Sequence, residues 1–323
     1  MFSTIQLQRL NFALKITIAV LCLWFLYYEF FVKTEFETMW IQFTQIEFNS
    51  YKMSLLLITL ALVFVNWGFE TSKWRLLIHA IEEVPWLKAF KAVISGITIS
   101  IFTPNRVGEF AARIFYLQSN HRIKGILISI IGSISQLCVT MVVGSFCFSF
   151  FLIQHQQFNS IEKTLIAIFP FVLSAIMILF YFNMDLLRSL LLKLNSARKA
   201  RIYLNVFTFY NATQLIQVLL LSSLRFIVFS LQYYLLFLFF DIKVSLITSF
   251  ILTSSIFFVL AIIPTIALAE LGIRGATAIY FISYYATNEL SMLASSYALW
   301  CVNLAIPALI GLLFIPQLNF IKK

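Results

Sequence analysis

Charge is scarce in this sequence: Asp, Glu, Lys and Arg make up 11% of its 323 residues, where a soluble domain carries about a quarter. Loop-punctuating residues are few as well, with 9 Gly and 6 Pro, and so are metal-holding ones, with 4 Cys and 3 His. Cys22, Cys138, Cys147 and Cys301 lie in apolar runs without CxxC spacing, so they are expected to pack rather than to form disulfides or bind metal. His79, His121 and His155 are too scattered to build a metal site, and no metal or cofactor is expected. GxGxxG, Walker A, GxSxG and HExxH patterns are all missing, which leaves nucleotide-driven transport and the common hydrolase chemistries without support. These shortages exclude a large soluble catalytic domain.

What is abundant is apolar: 61% of the residues are hydrophobic and 17% aromatic. At ~20 residues per crossing, the chain has room for roughly six to nine spans. The net charge of +10 would suggest nucleic acid in a soluble protein. Here the basic residues cluster at span ends, the signature of cytoplasmic loops, so no nucleic-acid partner is expected.

Apolar runs long enough to cross lie near 10–32, 53–78, 123–153, 163–184, 218–240 and 289–316. The first is too long for a signal-peptide core and has no A-x-A-like exit, so it is read as a retained span. Two further apolar regions, 88–117 and 243–286, are interrupted by polar, Gly and Pro residues. In the first, the arm from Val107 to Leu117 is only ~16 Å long as a helix, about half the hydrocarbon thickness. A re-entrant hairpin fits it better than two crossings. The arms of 243–286 are about 20 residues each, so two full crossings remain open there. The expected fold is an all-α polytopic membrane protein, with about six full transmembrane helices plus two interrupted hairpins, or eight spans if the hairpins cross.

Loop charges set the orientation. The segment 70–91 at one end of the first interrupted region carries Lys73, Arg75, Lys88 and Lys91, and the segment 113–124 at its other end carries Arg113, Arg122 and Lys124, so both ends are read as cytoplasmic. The loop 185–217, with Arg188, Lys193, Arg198, Lys199 and Arg201, is the strongest cytoplasmic marker. The stretch 33–52, with Glu35, Glu37 and Glu47 against Lys33 and Lys52, reads as external, as does 154–163, where Lys163 is the one basic residue. Threading the chain through these places both termini in the cytoplasm, in a cell inner (plasma) membrane.

The two interrupted regions resemble each other. Pro104 is followed by Glu109 and Arg113, and Pro264 by Glu270 and Arg274. Glu109 and Glu270 are 161 residues apart, half the chain length, and the same shift carries 53–78 onto 214–239 and 123–153 onto 284–314. Three full spans separate the regions, so 1–154 and 163–323 are expected to form two inverted repeats of one transmembrane domain. Inverted repeats with broken helices are typical of alternating-access transporters. A duplicated bundle whose broken helices only pack is the simpler alternative.

The chemistry-bearing candidates follow from charge in apolar surroundings. Glu109, Arg113, Glu270 and Arg274 lie where an ion costs ~3 kcal/mol to insert, so each marks a site. Their i, i+4 spacing puts each Glu and Arg on one helical face, where a self-satisfied structural pair would look the same. Asn105 and Arg106 sit at the first break, with Pro104, Gly108, Pro264 and Gly272 as helix-break positions. A helix start there suits a phosphate. Arg225, inside 218–240, either faces the bundle or snorkels to the interface. Gln136, and Asn303 beside the kinking Pro307, are expected to face the interior. Trp67, Glu70 and Lys73 are secondary candidates; with Asn66, Trp74 and Arg75 at a span end, interface anchoring is their default reading. The stretch from Tyr203 to Gln217 looks amphipathic, as for a helix on the inner membrane surface.

The run Thr103-Pro104-Asn105-Arg106-Val107-Gly108-Glu109-Phe110-Ala111-Ala112-Arg113 resembles the flippase-like membrane domain of the lysylphosphatidylglycerol synthase family. Trp67 with Glu70, Lys73 and Trp74, the run Glu270 to Ala276, and Trp300 to Asn303 with Pro307 extend the resemblance over essentially the whole chain. In bifunctional members this domain moves an aminoacylated phospholipid between leaflets, and a cytosolic domain attaches the amino acid. With the chain ending at Lys323, that synthase domain is expected to be absent. Stand-alone relatives are linked to other lipids, including polyprenyl-phosphate glycolipids. The resemblance implies that Arg106, Glu109, Arg113, Glu270 and Arg274 are central cavity residues.

The resulting expectation is a lipid translocase rather than an enzyme. It would move a phospholipid or polyprenyl-phosphate-linked headgroup, anionic or zwitterionic, through a polar cleft between the hairpins. The alternatives are an integral membrane transferase acting on a lipid phosphate, against which the missing DDxxD motif counts, and a non-catalytic partner that presents lipid to a separate lipid-modifying enzyme. Homo-oligomerisation is left open.

Overall fold

The structure, a computed structural model, describes residues 4–28, 44, 48–101, 103, 106–194, 202–263 and 267–317. Pro104, Asn105, Pro264, the acidic residues of 33–47, Arg198, Lys199, Arg201 and both terminal residues lie outside the described residues, as do the side chains of Cys22 and Glu270.

Among the described residues the fold has twelve α-helices and no strand. They are α1 (Thr4–Tyr27), α2 (Ser50–Ile78), α3 (Trp86–Ser100), α4 (Gly108–Arg113), α5 (Arg122–His155), α6 (Ser160–Phe182), α7 (Met184–Leu194), α8 (Ala212–Phe239), α9 (Leu246–Ile262), α10 (Ala267–Ile282), α11 (Glu289–Trp300) and α12 (Ile306–Leu312). A π turn, Cys301–Ala305, joins the last two. Its cause is local. Pro307 has no N–H to return to the carbonyl of Asn303, so the ladder widens there instead of kinking sharply.

Among the described residues, five stretches are long and apolar enough to cross a membrane: α2, the α5 run, α6, α8, and α11 through α12. They match five of the six expected spans. The remaining expected run, 10–32, overlaps α1, which is not among the five and exposes Phe12, Val20 and Trp24; Lys15 Nζ donates to the Pro316 carbonyl at 2.7 Å and ties it to the last helical turn. Side-chain caps set several helix starts: Asn49 accepts from the amide of Lys52, and Asn211 and Gln214 form a capping box. That box corrects the reading of Tyr203–Gln217 as one surface helix. The helical turn there ends before Asn211, and Ala212 to Gln217 is the first part of spanning helix α8.

Both interrupted regions are broken helix pairs. In the first, α3 has 15 residues and α4 six, ~22 Å and ~9 Å at the α-helical rise. Neither reaches across a ~30 Å core. In the second, α9 and α10 have 17 and 16 residues, ~26 Å and ~24 Å. These are shorter than the ~20 residues anticipated for each arm.

Close backbone contact holds the first pair together. A Cβ on Gly108 would stand 2.6 Å from the Ile99 carbonyl oxygen, so only glycine lets α4 start against the end of α3. On the other face of α3, a Cβ on Gly311 would collide with Thr98 Oγ1 and with the Ile94 carbonyl, and Thr98 Oγ1 donates to the Ala308 carbonyl at 2.8 Å. Gly272, by contrast, lies inside continuous α10 with nothing near its missing Cβ, so it marks no break in the helix.

Helices α2 and α8 pack along each other, and α5 packs on both. One apolar core gathers around Trp74, Leu77, Ile94 and Ile131, and a second around Phe151, Tyr233, Phe237 and Phe281.

Candidate functional site

Three residues on α2 start the site. Asn66, Glu70 and Lys73 follow one another at helical spacing, so one face of an otherwise apolar span carries an amide, a carboxylate and an ammonium. All three are buried; Asn66 is 0% and Lys73 1% exposed. An ion inside the hydrocarbon layer needs partners with good geometry, and Glu70 has three. Its Oε1 accepts from Arg113 Nη2 at 2.9 Å. Its Oε2 lies 2.7 Å from Lys73 Nζ and also pairs with Arg225 Nη1.

The partners are held in turn. Arg113 comes from α4 and pairs with Glu109 one helical turn back. Arg225 comes from α8; its Nε donates to Asn66 Oδ1 at 2.8 Å, and its guanidinium lies 5.0 Å from the Trp67 ring centroid and 5.5 Å from that of Phe229. Lys73 reaches Ser222 Oγ at 3.4 Å, and Ser222 also contacts Ser135 and Gln136 on α5. Asn66 Nδ2 donates to Asn303 Oδ1 at 3.4 Å, which joins the π turn to the network. Side chains from α2, α4 and α8 thus meet at one carboxylate, and α5 and the final helical run join the surrounding network.

Beside the network is a cavity of about 740 Å³. Of the candidates from the sequence, Arg106, Glu109, Gln136, Arg225, Arg274, Asn303, Trp67, Glu70 and Lys73 line it. Arg113 does not; it stands behind Glu109 and Glu70 and holds both. Helix α10 brings Arg274 to the wall, while the Glu270 side chain, Asn105, Pro104 and Pro264 lie outside the described residues. The rest of the wall is largely apolar, with Phe226, Phe257 and Leu260 among its residues.

Arg106 has φ of 57°, the left-handed region, which costs a non-glycine residue about 1–2 kcal/mol. It precedes α4 at the break between α3 and α4 and lines the cavity.

One default reading from the sequence is corrected, and one alternative is set aside. Trp67, Glu70, Lys73 and Trp74 do not anchor a membrane interface: all are buried, and Trp74 Nε1 donates to Ser129 Oγ at 3.1 Å. Arg225 does not snorkel, because Glu70 and Asn66 satisfy it within the bundle. Sequence reasoning missed that Glu70 is the hub, and missed Ser222 and Ser135. The polar stripe of α2 was the available signal, since an interface anchor needs no three-residue helical register.

The family model described as the lysylphosphatidylglycerol synthase TM region matches residues 12–312. No curated protein matches the chain, and no solved structure does.

Proposed function

We propose, on the premise that the chain belongs to the lysylphosphatidylglycerol synthase TM region family, that this protein moves a lipid headgroup between leaflets through the cavity beside Glu70. Family membership and the spanning helices make it a multi-pass membrane protein connected with membrane lipid handling. Translocation is the step beyond that.

One observation carries the reading: a charged cavity of about 740 Å³, bordered by two broken helices, lies within a bundle of spanning helices. The polar wall offers a headgroup replacements for water, and the apolar wall accepts a chain. A structural ion-pair network on its own would be expected to close around itself, since empty space beside buried charge forfeits packing contacts.

The helix boundaries support two inverted repeats. Shifting Ser50–Ile78 by 161 residues gives 211–239, against Ala212–Phe239 for α8. The same shift takes Trp86–Ser100 to 247–261, against Leu246–Ile262 for α9. Alternating access then amounts to one broken pair rocking against the other, with both termini in the cytoplasm of a plasma-membrane protein.

The test is reconstitution into vesicles of the host's total lipid, chemical labelling of the outer leaflet, and mass spectrometry of every lipid that becomes accessible. A headgroup class that gains accessibility, and loses that gain with Glu109→Gln in a folded protein, supports translocation. Conversion of the lipid to a new product without leaflet change favours an integral membrane transferase. Neither effect, with a lipid-modifying enzyme retained in a pull-down, favours a lipid-presenting partner.

A further inference from the structure

We infer that the cavity opens sideways into the hydrocarbon of the membrane, through a mouth between α5 and the end of α9, and that the hydrocarbon chain of a lipid enters it there. The inference rests on reading the cavity as a lipid site, and it adds the route by which the lipid is admitted.

Exposure along α5 defines the mouth. Ile130, Ser133, Ile134, Leu137 and Thr140 follow one another at helical spacing and line the cavity. Ile131, Ser135 and Cys138, on the other side of the same stretch, are buried against neighbouring helices. Ser133 and Leu137 are exposed, Leu137 by 39%. The face of α5 that borders the cavity is thus its open face. Opposite it, the end of α9 contributes Ile262, 52% exposed, and Ile263. Among the described residues that line the cavity, these four are the exposed ones.

Their depth decides what they face. Leu137 lies 15 residues from the first residue of α5 and 18 from the last, ~22 Å and ~27 Å at the α-helical rise. It therefore sits near the middle of a spanning helix, and an opening at that level meets hydrocarbon. The chemistry agrees, since Leu137, Ile262 and Ile263 are aliphatic. Ser133 donates to the Ser129 carbonyl at 3.4 Å and Thr140 to the Gln136 carbonyl at 3.0 Å, so neither hydroxyl needs water.

Close packing bounds the mouth at one end. A Cβ on Gly144 would stand 2.6 Å from Phe258 Cβ and 2.9 Å from the Ser254 carbonyl oxygen, so α5 and α9 touch there. One turn further along each helix, Thr140 and Ala261 already border the cavity. A path that starts among aliphatic side chains, passes Phe226 and Phe257, and reaches the buried ions Glu70, Lys73 and Arg225 suits a molecule with a hydrocarbon tail and a polar head.

The experiment reconstitutes the full chain in vesicles made from the lipid of a host fed a diazirine fatty acid, irradiates them, and locates cross-links residue by residue by mass spectrometry. Phe226 is 3% exposed, so a chain labels it by entering the cavity. Label is expected on Phe226 and should fall severalfold with Leu137→Trp, whose indole fills the mouth. Phe171, exposed on α6, should be labelled equally in both proteins. In a second measurement, nitroxides on Leu137→Cys and Ile262→Cys should collide readily with oxygen and rarely with a polar nickel chelate. The reverse is expected at Ser119→Cys, exposed before α5.

An unlabelled Phe226 beside a labelled Phe171 overturns the inference. So does label on Phe226 that a folded Leu137→Trp protein leaves unchanged; if that variant does not fold, Ile262→Trp takes its place. Nickel chelate reaching positions 137 and 262 as readily as 119 would mean that the mouth faces water, and overturns it too. Labelling of Phe226 that the tryptophan blocks, with no lipid moved between leaflets, would remove translocation and leave this inference standing. Lipid movement with Phe226 unlabelled would do the reverse.

Discussion

Arg225 of α8 and Glu70 of α2, 155 residues apart in sequence, form a buried ion pair at the centre of the bundle. The pair joins the helix that precedes the first broken pair to the helix that precedes the second. Because Asn66 and the Trp67 ring also hold Arg225, its position is defined on three sides.

Removing that arginine should be costly. Arg225→Ala leaves Glu70 with two cations and opens a gap between α2 and α8, and breaking a buried pair from one side costs about 3–5 kcal/mol. Thermal unfolding in detergent should show a clear fall in Tm. Arg225→Lys should recover only part of it, since an ammonium cannot serve both Asn66 and Glu70 with a rigid fork. An unchanged Tm for the alanine variant would mean that the pair does not hold the helices.

The glycines make a graded set. Gly311→Ala should push α12 off α3, and Gly108→Ala should push α4 off the end of α3, each at about 1–3 kcal/mol for overpacking. Gly272→Ala meets nothing within 4 Å and should be neutral, or stabilising by up to about 1 kcal/mol through helix propensity. Melting curves of the three variants, measured together, check the order. A destabilising Gly272→Ala beside a neutral Gly311→Ala would contradict the packing of α12 on α3.

Sidedness can be read by single-cysteine labelling after replacement of Cys22, Cys138, Cys147 and Cys301. Ser119→Cys and Asn120→Cys, exposed between α4 and α5, should react only from the cytoplasmic side, and Ser160→Cys, at the start of α6, only from outside. Labelling of position 119 from outside would remove both the proposed orientation and the inverted relation of the halves.

Much of this architecture was legible in the sequence, because long apolar runs and proline breaks are local signals. The spans at 53–78 and 218–240 became α2 and α8 with small shifts at their ends, and the interruptions near Pro104 and Pro264 do separate α3 from α4 and α9 from α10. The pairing of Glu109 with Arg113 was readable too, since i, i+4 spacing is a property of one helix. The hub was not. Glu70 looked like a span-end residue because its partners Arg113 and Arg225 lie 43 and 155 positions away, and nothing local shows that three helices will meet there. Trp67 and Trp74 misled for a related reason. Tryptophan beside Lys and Arg is the pattern of an interface belt, and only packing against α5 and α8 shows that these rings are interior.

The most direct test of the central claim is to fill the cavity without touching its charges. Ser133 lies on the wall, on α5, and its one hydrogen bond is to the Ser129 carbonyl of the same helix. Ser133→Trp would place an indole in the space beside Glu70 while leaving the ion pairs intact. In reconstituted vesicles, the account predicts that this variant melts close to the wild type and moves no lipid between leaflets, whereas Ser133→Ala moves it normally. Full lipid movement by a folded Ser133→Trp protein would contradict the account, because the headgroup would then be passing by another route.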